Sequence, residues 1–373
     1  MNEPSLILGI ETSCDETAAA LADAKGRLHA NLVASQVDLH ARYGGVVPEI
    51  AARMHIQACL PLVEQALAEA RVDWDAIAGI AVTQGPGLIG CLLVGVETAK
   101  VLAWQRRKPL YAVNHLAGHL ETLNVTPRKG THLKLEDGVQ HRVLPTNRDG
   151  ESPDKLEVAR PDDPHVGLIV SGGHTSLVLS EGPDRHQVLA ETRDDAAGEA
   201  YDKVARLLGL GYPGGPVIDR LAGEAGEAQR FRFTPPMMRP EQRDFSFSGL
   251  KTAAGREAER LLAEHEGRPA EESVRDLCAA FQRAAVESLV GKAMREMAAR
   301  RIRDLVITGG VACNQGLRRR AAEASRHGVR VWFPHPSLCT DNAGMIAALA
   351  WRMQPLTPAE ALELEARADL GLA

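Results

Sequence analysis

Ser5-Leu-Ile-Leu-Gly-Ile-Glu11 is a short apolar run, Thr12-Ser-Cys-Asp-Glu-Thr17 interrupts it with polar residues, and Ala18 to Ala22 resumes it. The pattern predicts a buried strand, a tight turn and a returning strand. It recurs at Val166-Gly-Leu-Ile-Val-Ser-Gly-Gly-His-Thr-Ser-Leu-Val-Leu179. After the first hairpin, Ile50 to about Ala70 has helical spacing, with Pro48 suited to the first turn. A strand at Ile77 to Val82, a Gly-Pro-Gly turn at 85–87, a helix to about Trp104, a strand at Leu110 to Val113 and a helix containing His115 follow. The second hairpin leads to helices around 197–210 and 273–300, a strand at Leu305 to Ile307, a helix from Asn314 and a strand at Val329 to Phe333. Repetition on this scale predicts two similar α/β lobes facing each other across a cleft, each offering a hairpin turn to what lies between. The expected boundaries are 1–123 for the first lobe and 165–340 for the second. The apolar helix Met345 to Trp351, within 341–373, is expected to return to the first lobe. Residues 124–164 are polar, rich in charge and proline and without sustained periodicity, which reads as a surface insertion or loop.

A chain of 373 residues exceeds one core of ordinary size, and roughly 150 residues per domain gives about two. With 45% hydrophobic and 25% charged residues the composition is that of a globular protein, and no apolar run reaches the roughly 20 residues of a membrane span. Met1-Asn-Glu-Pro-Ser5 has no basic region ahead of an apolar stretch, so no secretory signal is read there and a cytoplasmic protein is expected. Six cysteines are scattered without a CxxC pair, which argues against disulfides and a thiolate zinc cage. The net charge of −6 argues against a protein that coats nucleic acid, since phosphate contacts need clustered Lys and Arg. Arg106-Arg-Lys108, Arg230 to Arg243 and Arg318 to Arg320 are local basic stretches, of a kind usually found on solvated faces.

Asn114-His115-Leu-Ala-Gly-His119 carries the strongest chemical signal, because a separation of four puts both imidazoles on one helix face. Two histidines alone do not specify a metal. Asp341, in Cys339-Thr-Asp-Asn-Ala-Gly344, is the best candidate for a third ligand, and two His with one carboxylate suit Fe(II) or Zn(II). A zinc protease helix would carry Glu directly after the first His; here that position is Leu116, which takes no proton, so peptide hydrolysis is disfavoured.

Ser171-Gly-Gly-His174 suits a phosphate cradle, although a Gly-Gly pair between strands is more often a plain hairpin turn. Thr308-Gly-Gly-Val-Ala-Cys-Asn-Gln-Gly316 ends a strand in glycines and opens a helix. Together the two segments are what a nucleotide held between two lobes requires. Asp194 to Lys203 opens a helix with acids that suit either capping or ribose hydroxyls, and Gly209 to Asp219 is dense in Gly and Pro, permitting close backbone approach or a rigid corner. Phe245-Ser-Phe-Ser-Gly-Leu-Lys-Thr252 receives no role from chemistry alone.

Gly9 to Thr17, Asn114 to His119, Val170 to Thr175, Asp194 to Lys203, Gly211 to Gly215, Phe245 to Thr252, Thr308 to Asn314 and Thr340-Asp-Asn342 together resemble the TsaD family of tRNA N6-adenosine threonylcarbamoyltransferases, formerly called O-sialoglycoprotein endopeptidases. The resemblance runs from about residue 5 to 355 and departs mainly at 124–164. It implies an α/β actin/Hsp70-like (ASKHA) fold of two ribonuclease-H-like lobes around a nucleotide cleft. It implies one Fe(2+) ion, with Zn(2+) as the alternative, on His115, His119 and Asp341. The implied donor, threonylcarbamoyl-AMP, is contacted by Ile169, Val170, Ser171, Gly172, Gly173, Asp202, Gly215, Asp219 and Asn314, with Ile169 standing in for another aliphatic residue. The implied reaction passes the threonylcarbamoyl group to N6 of the adenosine at position 37 of tRNAs reading codons that begin with A, releasing AMP. The implied partners are tRNA, a TsaB-like paralogue and a TsaE-like P-loop ATPase, without a membrane. Asp15 or Glu16 is a candidate to take the amine proton or to orient the metal site, against simple turn chemistry. An Hsp70- or sugar-kinase-like ATPase and the metalloprotease of the older name are the competing functions.

Overall fold

A computed structural model describes residues 5–126, 140–141, 163–225, 230–264, 270–325 and 328–372. The first sheet opens with β1 (Leu6–Glu11), β2 (Glu16–Asp23) and β3 (Leu28–Ser35), an antiparallel meander in which Leu8 faces Leu21. After α1 (Val37–Ala41) and α2 (Pro48–Ala70), β4 (Ile77–Gly85) joins β1 in parallel, and β5 (Leu110–Asn114) joins β4 after α3 (Ile89–Arg106). The strand order is β3-β2-β1-β4-β5. A short helix of about two turns, α4 (His115–Glu121), follows directly.

The second sheet repeats this plan. β7 (His165–Val170), β8 (Thr175–Gly182) and β9 (Arg185–Glu191) form its meander, and β10 (Asp304–Thr308) and β11 (Arg330–Phe333) extend it in parallel from β7. With the two-residue strand β6 (Gln140–His141) beside β11, the order is β6-β11-β10-β7-β8-β9. Its helices are α5 (Ala197–Leu207), α6 (Gly214–Glu224), α7 (Ser248–Glu264), α8 (Glu271–Arg300) and α9 (Gln315–Ser325). The chain then adds α10 (Ala343–Ala350) and α11 (Pro358–Glu363).

Each meander has a third strand that the apolar-run pattern does not reveal. β3 and β9 are sheet edges with partly exposed faces, and their sequences, LHANLVAS and RHQVLAE, lack a continuous apolar run. The Gly/Pro stretch 209–219 is also only half a turn, because α6 begins at Gly214. Of the expected insertion 124–164, Asn124 to Thr126, β6 and Asp163-Pro164 are described; the rest of that stretch lies outside the described residues.

β1 is buried on both faces. Leu6, Leu8 and Ile10 pack with Val63 and Ala66 of α2 and Val96 and Ala99 of α3, while Ile7 packs with Met345, Ile346 and Ala347 of α10. Gly9 lies under α10, where an added Cβ would stand 2.3 Å from the Ala343 carbonyl oxygen and 2.9 Å from the Ala347 nitrogen. α4 sits between the sheets: Gly118 faces Ile346 of α10, and Leu116 and Leu120 pack on Ile169 and Val178 of the second sheet. Gly167 of β7 makes room for Leu120, since a Cβ there would fall 2.3 Å from its Cδ2.

Gly9→Ala is therefore expected to force α10 off β1 and to destabilise the fold by about 1–3 kcal/mol, as overpacking does. Urea denaturation measures this, and a midpoint equal to wild type would contradict the packing described.

Candidate active site

The two histidines owe their orientation to a helix start. Asn114 caps α4, its Oδ1 accepting from the Leu116 and Ala117 N–H groups at 2.9 and 3.2 Å. From there the i, i+4 spacing stacks the His115 and His119 rings edge to face, with centroids 4.7 Å apart, and both are buried. Asp341 arrives from the segment before α10. Its neighbour Asn342 caps that helix by accepting from Met345 N–H at 3.1 Å and also donates to the Thr340 carbonyl at 2.9 Å. Asp341 Oδ1 lies 3.1 Å from His119 Nε2 and 3.6 Å from His115 Nε2. One donor atom from each of the three residues falls within 4.8 Å of the others.

Second contacts fix His115. Its Nδ1 is 3.1 Å from Glu11 Oε2 and 3.3 Å from Ser13 Oγ, and Thr83 donates to the same Glu11 oxygen at 2.6 Å. Glu11 ends β1 and is fully buried. Burial works against charge on all three groups, but mutual attraction wins. Burial alone would lower the His115 pKa; Asp341 and Glu11 raise it to about 9. Burial would raise Glu11 and Asp341, yet His115 draws Glu11 below its ordinary value, and His115 with His119 draws Asp341 well below its own. The pocket thus calls for positive charge between two carboxylates. A divalent ion answers that demand with both imidazoles neutral, and two imidazoles with one carboxylate is a donor set for iron(II) or zinc(II). His119 Nδ1 is buried without a partner among the described residues, so Glu11 is the main orienting group of the set. His174 adds a third imidazole 6.0 Å from His115, and burial, His115 and His119 push its pKa down to about 4.

Asp15 and Glu16 lie in the first hairpin turn beside this cluster. Burial, Asp341 and Asp15 raise the Glu16 pKa to about 9, and Glu16 shares a hydrogen bond with Asp15.

A cavity of about 600 Å³ collects Asp202, Gly215, Asp219 and Asn314, together with Gly172, Tyr201 and Gly310. A neighbouring cavity of about 690 Å³ contains His115, Asp341, His174 and Ser171, Gly172 and Gly173. Asp15, Glu16, Gly172, Asp202 and Gly310 line both, so the two communicate. Ile169 and Val170 are elsewhere: both side chains are buried in β7, so only their backbone is available to a ligand.

The polar residues of the first cavity also hold helix ends there. Asp202 Oδ1 accepts from Gly214 N–H at 2.7 Å at the start of α6. Asp219 accepts from Gln315 and Gly316 N–H at 2.8 and 3.3 Å, and Asn314 Oδ1 from Leu317 N–H at 2.8 Å, at the start of α9. Two helix N-termini therefore meet at one cavity, each with its first N–H groups taken by a carboxylate of the lining. The 194–203 and 245–252 segments interlock behind it. Asp194 accepts from Phe247 N–H at 2.7 Å, and Lys203 and Lys251 both bind Asp195, at 2.7 and 2.6 Å. With Phe245 and Phe247 fully buried, the role of 245–252 is to dock α7 against α5.

Thr83 lies outside every motif singled out in the sequence, and Glu11 and Thr340, though inside such motifs, received no role of their own there. Glu11→Gln is expected to weaken metal affinity by about 10- to 100-fold. Because His115 in the metal-free protein holds a proton up to about pH 9, apparent affinity should fall toward tenfold per unit as pH drops below that value. Chelator competition at several pH values measures both, and a flat profile would contradict the assignment.

A family model for tRNA N6-adenosine threonylcarbamoyltransferase matches residues 27–138 and 153–348. A protein of that name from Sorangium cellulosum is 48% identical over 345 residues, covering 91% of this chain and 89% of its own length. One from Geobacter metallireducens is 46% identical over 343 residues, covering 92% and 90%. Among solved structures, HypF from T. kodakarensis superposes with a TM-score of 0.54 at 12% identity over 94% of this chain and 47% of its own. Full-length HypF in the phosphate- and nucleotide-bound form gives 0.55 at 14% identity, over 94% and 56%. These likenesses bear on the fold, which with its two repeated sheets is the actin/Hsp70-like α/β architecture. Identity of nearly one residue in two, along nine-tenths of the chain, makes this protein a member of the TsaD family of tRNA N6-adenosine threonylcarbamoyltransferases.

Proposed function

We propose that this protein transfers the threonylcarbamoyl group of threonylcarbamoyl-AMP to N6 of the adenosine at position 37 in tRNAs that read codons beginning with A. The observation that carries the reading is the wall common to the two cavities. A nucleotide seated against the starts of α6 and α9 presents its reacting end to the space beside His115 and Asp341.

The donor is a mixed anhydride of a carbamate and a phosphate. The N6 amine attacks the carbamoyl carbon, the new C–N bond forms, and the bond from that carbon to the bridging oxygen breaks, leaving AMP with the electron pair. Asp202 and Asp219 cap the starts of α6 and α9, and their spare lone pairs suit ribose hydroxyls. Ser171 to Gly173 allow close backbone approach, since an added Cβ at Gly172 or Gly173 would meet nothing within 4 Å. Asp15 or Glu16, which line both cavities, takes the amine proton. An iron(II) or zinc(II) ion held by His115, His119 and Asp341 would supply Lewis-acid polarisation of donor oxygens. Holding both substrates in register supplies the rest of the rate enhancement.

The direct test incubates the protein and its partners with unmodified tRNA, threonine, bicarbonate, ATP and the adenylate-forming enzyme, then analyses nucleosides by mass. Threonylcarbamoyladenosine is expected. His115→Ala should reduce it by about 10²-fold or more with an unchanged melting temperature. Unmodified nucleosides from the wild-type reaction would refute the function, and full activity in His115→Ala would remove the metal centre from it.

The same reading includes a catalytically inactive paralogue and a small P-loop ATPase as partners in cytoplasmic tRNA modification; no described helix is long and apolar enough to cross a membrane. α2 and α3 pack together and expose Ile56, Leu60, Ile89, Leu93 and Trp104, the last at 76%. An apolar stripe of this kind on two adjacent helices fits a helical partner face. Ile56→Asp with Leu93→Asp should weaken paralogue binding by about tenfold or more. Co-elution at wild-type affinity would place that partner on another face.

A further inference from the structure

The cavity that contains His115 and Asp341 opens at a loop for which neither the fold nor the metal site has a use. Directly after α1, Tyr43 is 59% exposed, and Gly44 and Gly45 form part of the cavity wall. The loop is anchored from below. Tyr43 and Gly45 donate to the His40 carbonyl at 2.9 and 3.3 Å, and the fully buried His40 ring meets Gln36 Oε1 at 3.2 Å and accepts from Val47 N–H at 3.3 Å. A large aromatic residue is thus carried more than half exposed on an anchored backbone.

Arg206 of α5 reaches the same rim from the second sheet's side. A Cβ added at Gly44 would stand 3.7 Å from its Cδ, so the arginine stem crosses to the loop. Its neighbour Lys203 is occupied by Asp195 and Glu199, at 2.7 and 2.8 Å. Arg206 has no acidic partner among the described residues. The cavity below holds Asp15, Glu16, Asp341 and Glu199, in a chain of net charge −6. The Arg206 guanidinium is thus a cation at this opening available to a polyanion.

We propose that Tyr43 and Arg206 form the RNA-contacting rim of the acceptor cavity. Tyr43 stacks on a base next to the reacting adenosine, and Arg206 contacts a backbone phosphate. The proposal rests on the function inferred above. A base that enters a cavity leaves its stack, and an aromatic face at the entrance replaces the neighbour it has lost. Stacking is indifferent to base identity, while the guanidinium supplies a salt-sensitive contact.

The test measures binding of an anticodon stem-loop RNA to the full chain by fluorescence anisotropy across a salt series, with AMP binding measured separately. Tyr43→Ala should weaken RNA binding on the order of 5- to 100-fold with an unchanged salt slope, and Tyr43→Phe should match wild type. Arg206→Ala should lower the salt slope by about one, and Arg206→Lys should preserve it. AMP affinity should be the same in all four variants. RNA affinity within twofold of wild type in both alanine variants, or equal loss of AMP binding, overturns the rim. Absence of transfer by the wild-type protein, with Tyr43-dependent RNA binding intact, would instead sink the function and leave the rim standing.

Discussion

Gly9 presents no side chain to α10, and across that bare strip the helix backbone lies directly on β1. This contact decides where Asp341 is, because the aspartate precedes α10 by two residues and its neighbour Asn342 caps the helix. α4 must be held equally firmly, and it is gripped from both sides: Ile346 of α10 lies against Gly118, while Ile169 and Val178 of the second sheet receive Leu116 and Leu120. The two imidazoles and the distant carboxylate therefore meet only when both sheets are in place. An ion bound there would be linked by mass action to the packing of one lobe on the other.

Charge is the second constraint on the cleft. Glu11, Asp15, Glu16 and Asp341 gather within a small, largely buried volume, which repulsion and desolvation oppose. The structure resolves the conflict unevenly. Sharing His115 draws Glu11 and Asp341 below the usual carboxylate range, whereas burial and its acidic neighbours push Glu16 above it.

How much of this could be read in advance depends on range. The two opening hairpins were legible because β1 and β7 are continuous apolar runs broken by polar turns, and the His115/His119 spacing was legible because helix geometry is local. Edge strands β3 and β9 were not, since a half-exposed strand with mixed polarity carries no period that separates it from a loop. Asp341 lies 222 residues from His119, so the sequence offered it as a candidate third ligand but no local rule brings the two together. Glu11 was invisible for a related reason, because an acid at the end of a strand announces no partner. Asp202, Asp219 and Asn314 show the converse, for their side chains turn out to hold the helix starts that face the ligand cavity.

The central claim is that one cation sits between α4 and the approach to α10, beside a nucleotide cavity. Anomalous diffraction at the iron and zinc edges, from crystals of protein purified without chelators, tests it most directly. A single peak among His115 Nε2, His119 Nε2 and the Asp341 carboxylate is the predicted result. A peak at other residues, or the three side chains turned to separate places in an active enzyme, would contradict the account.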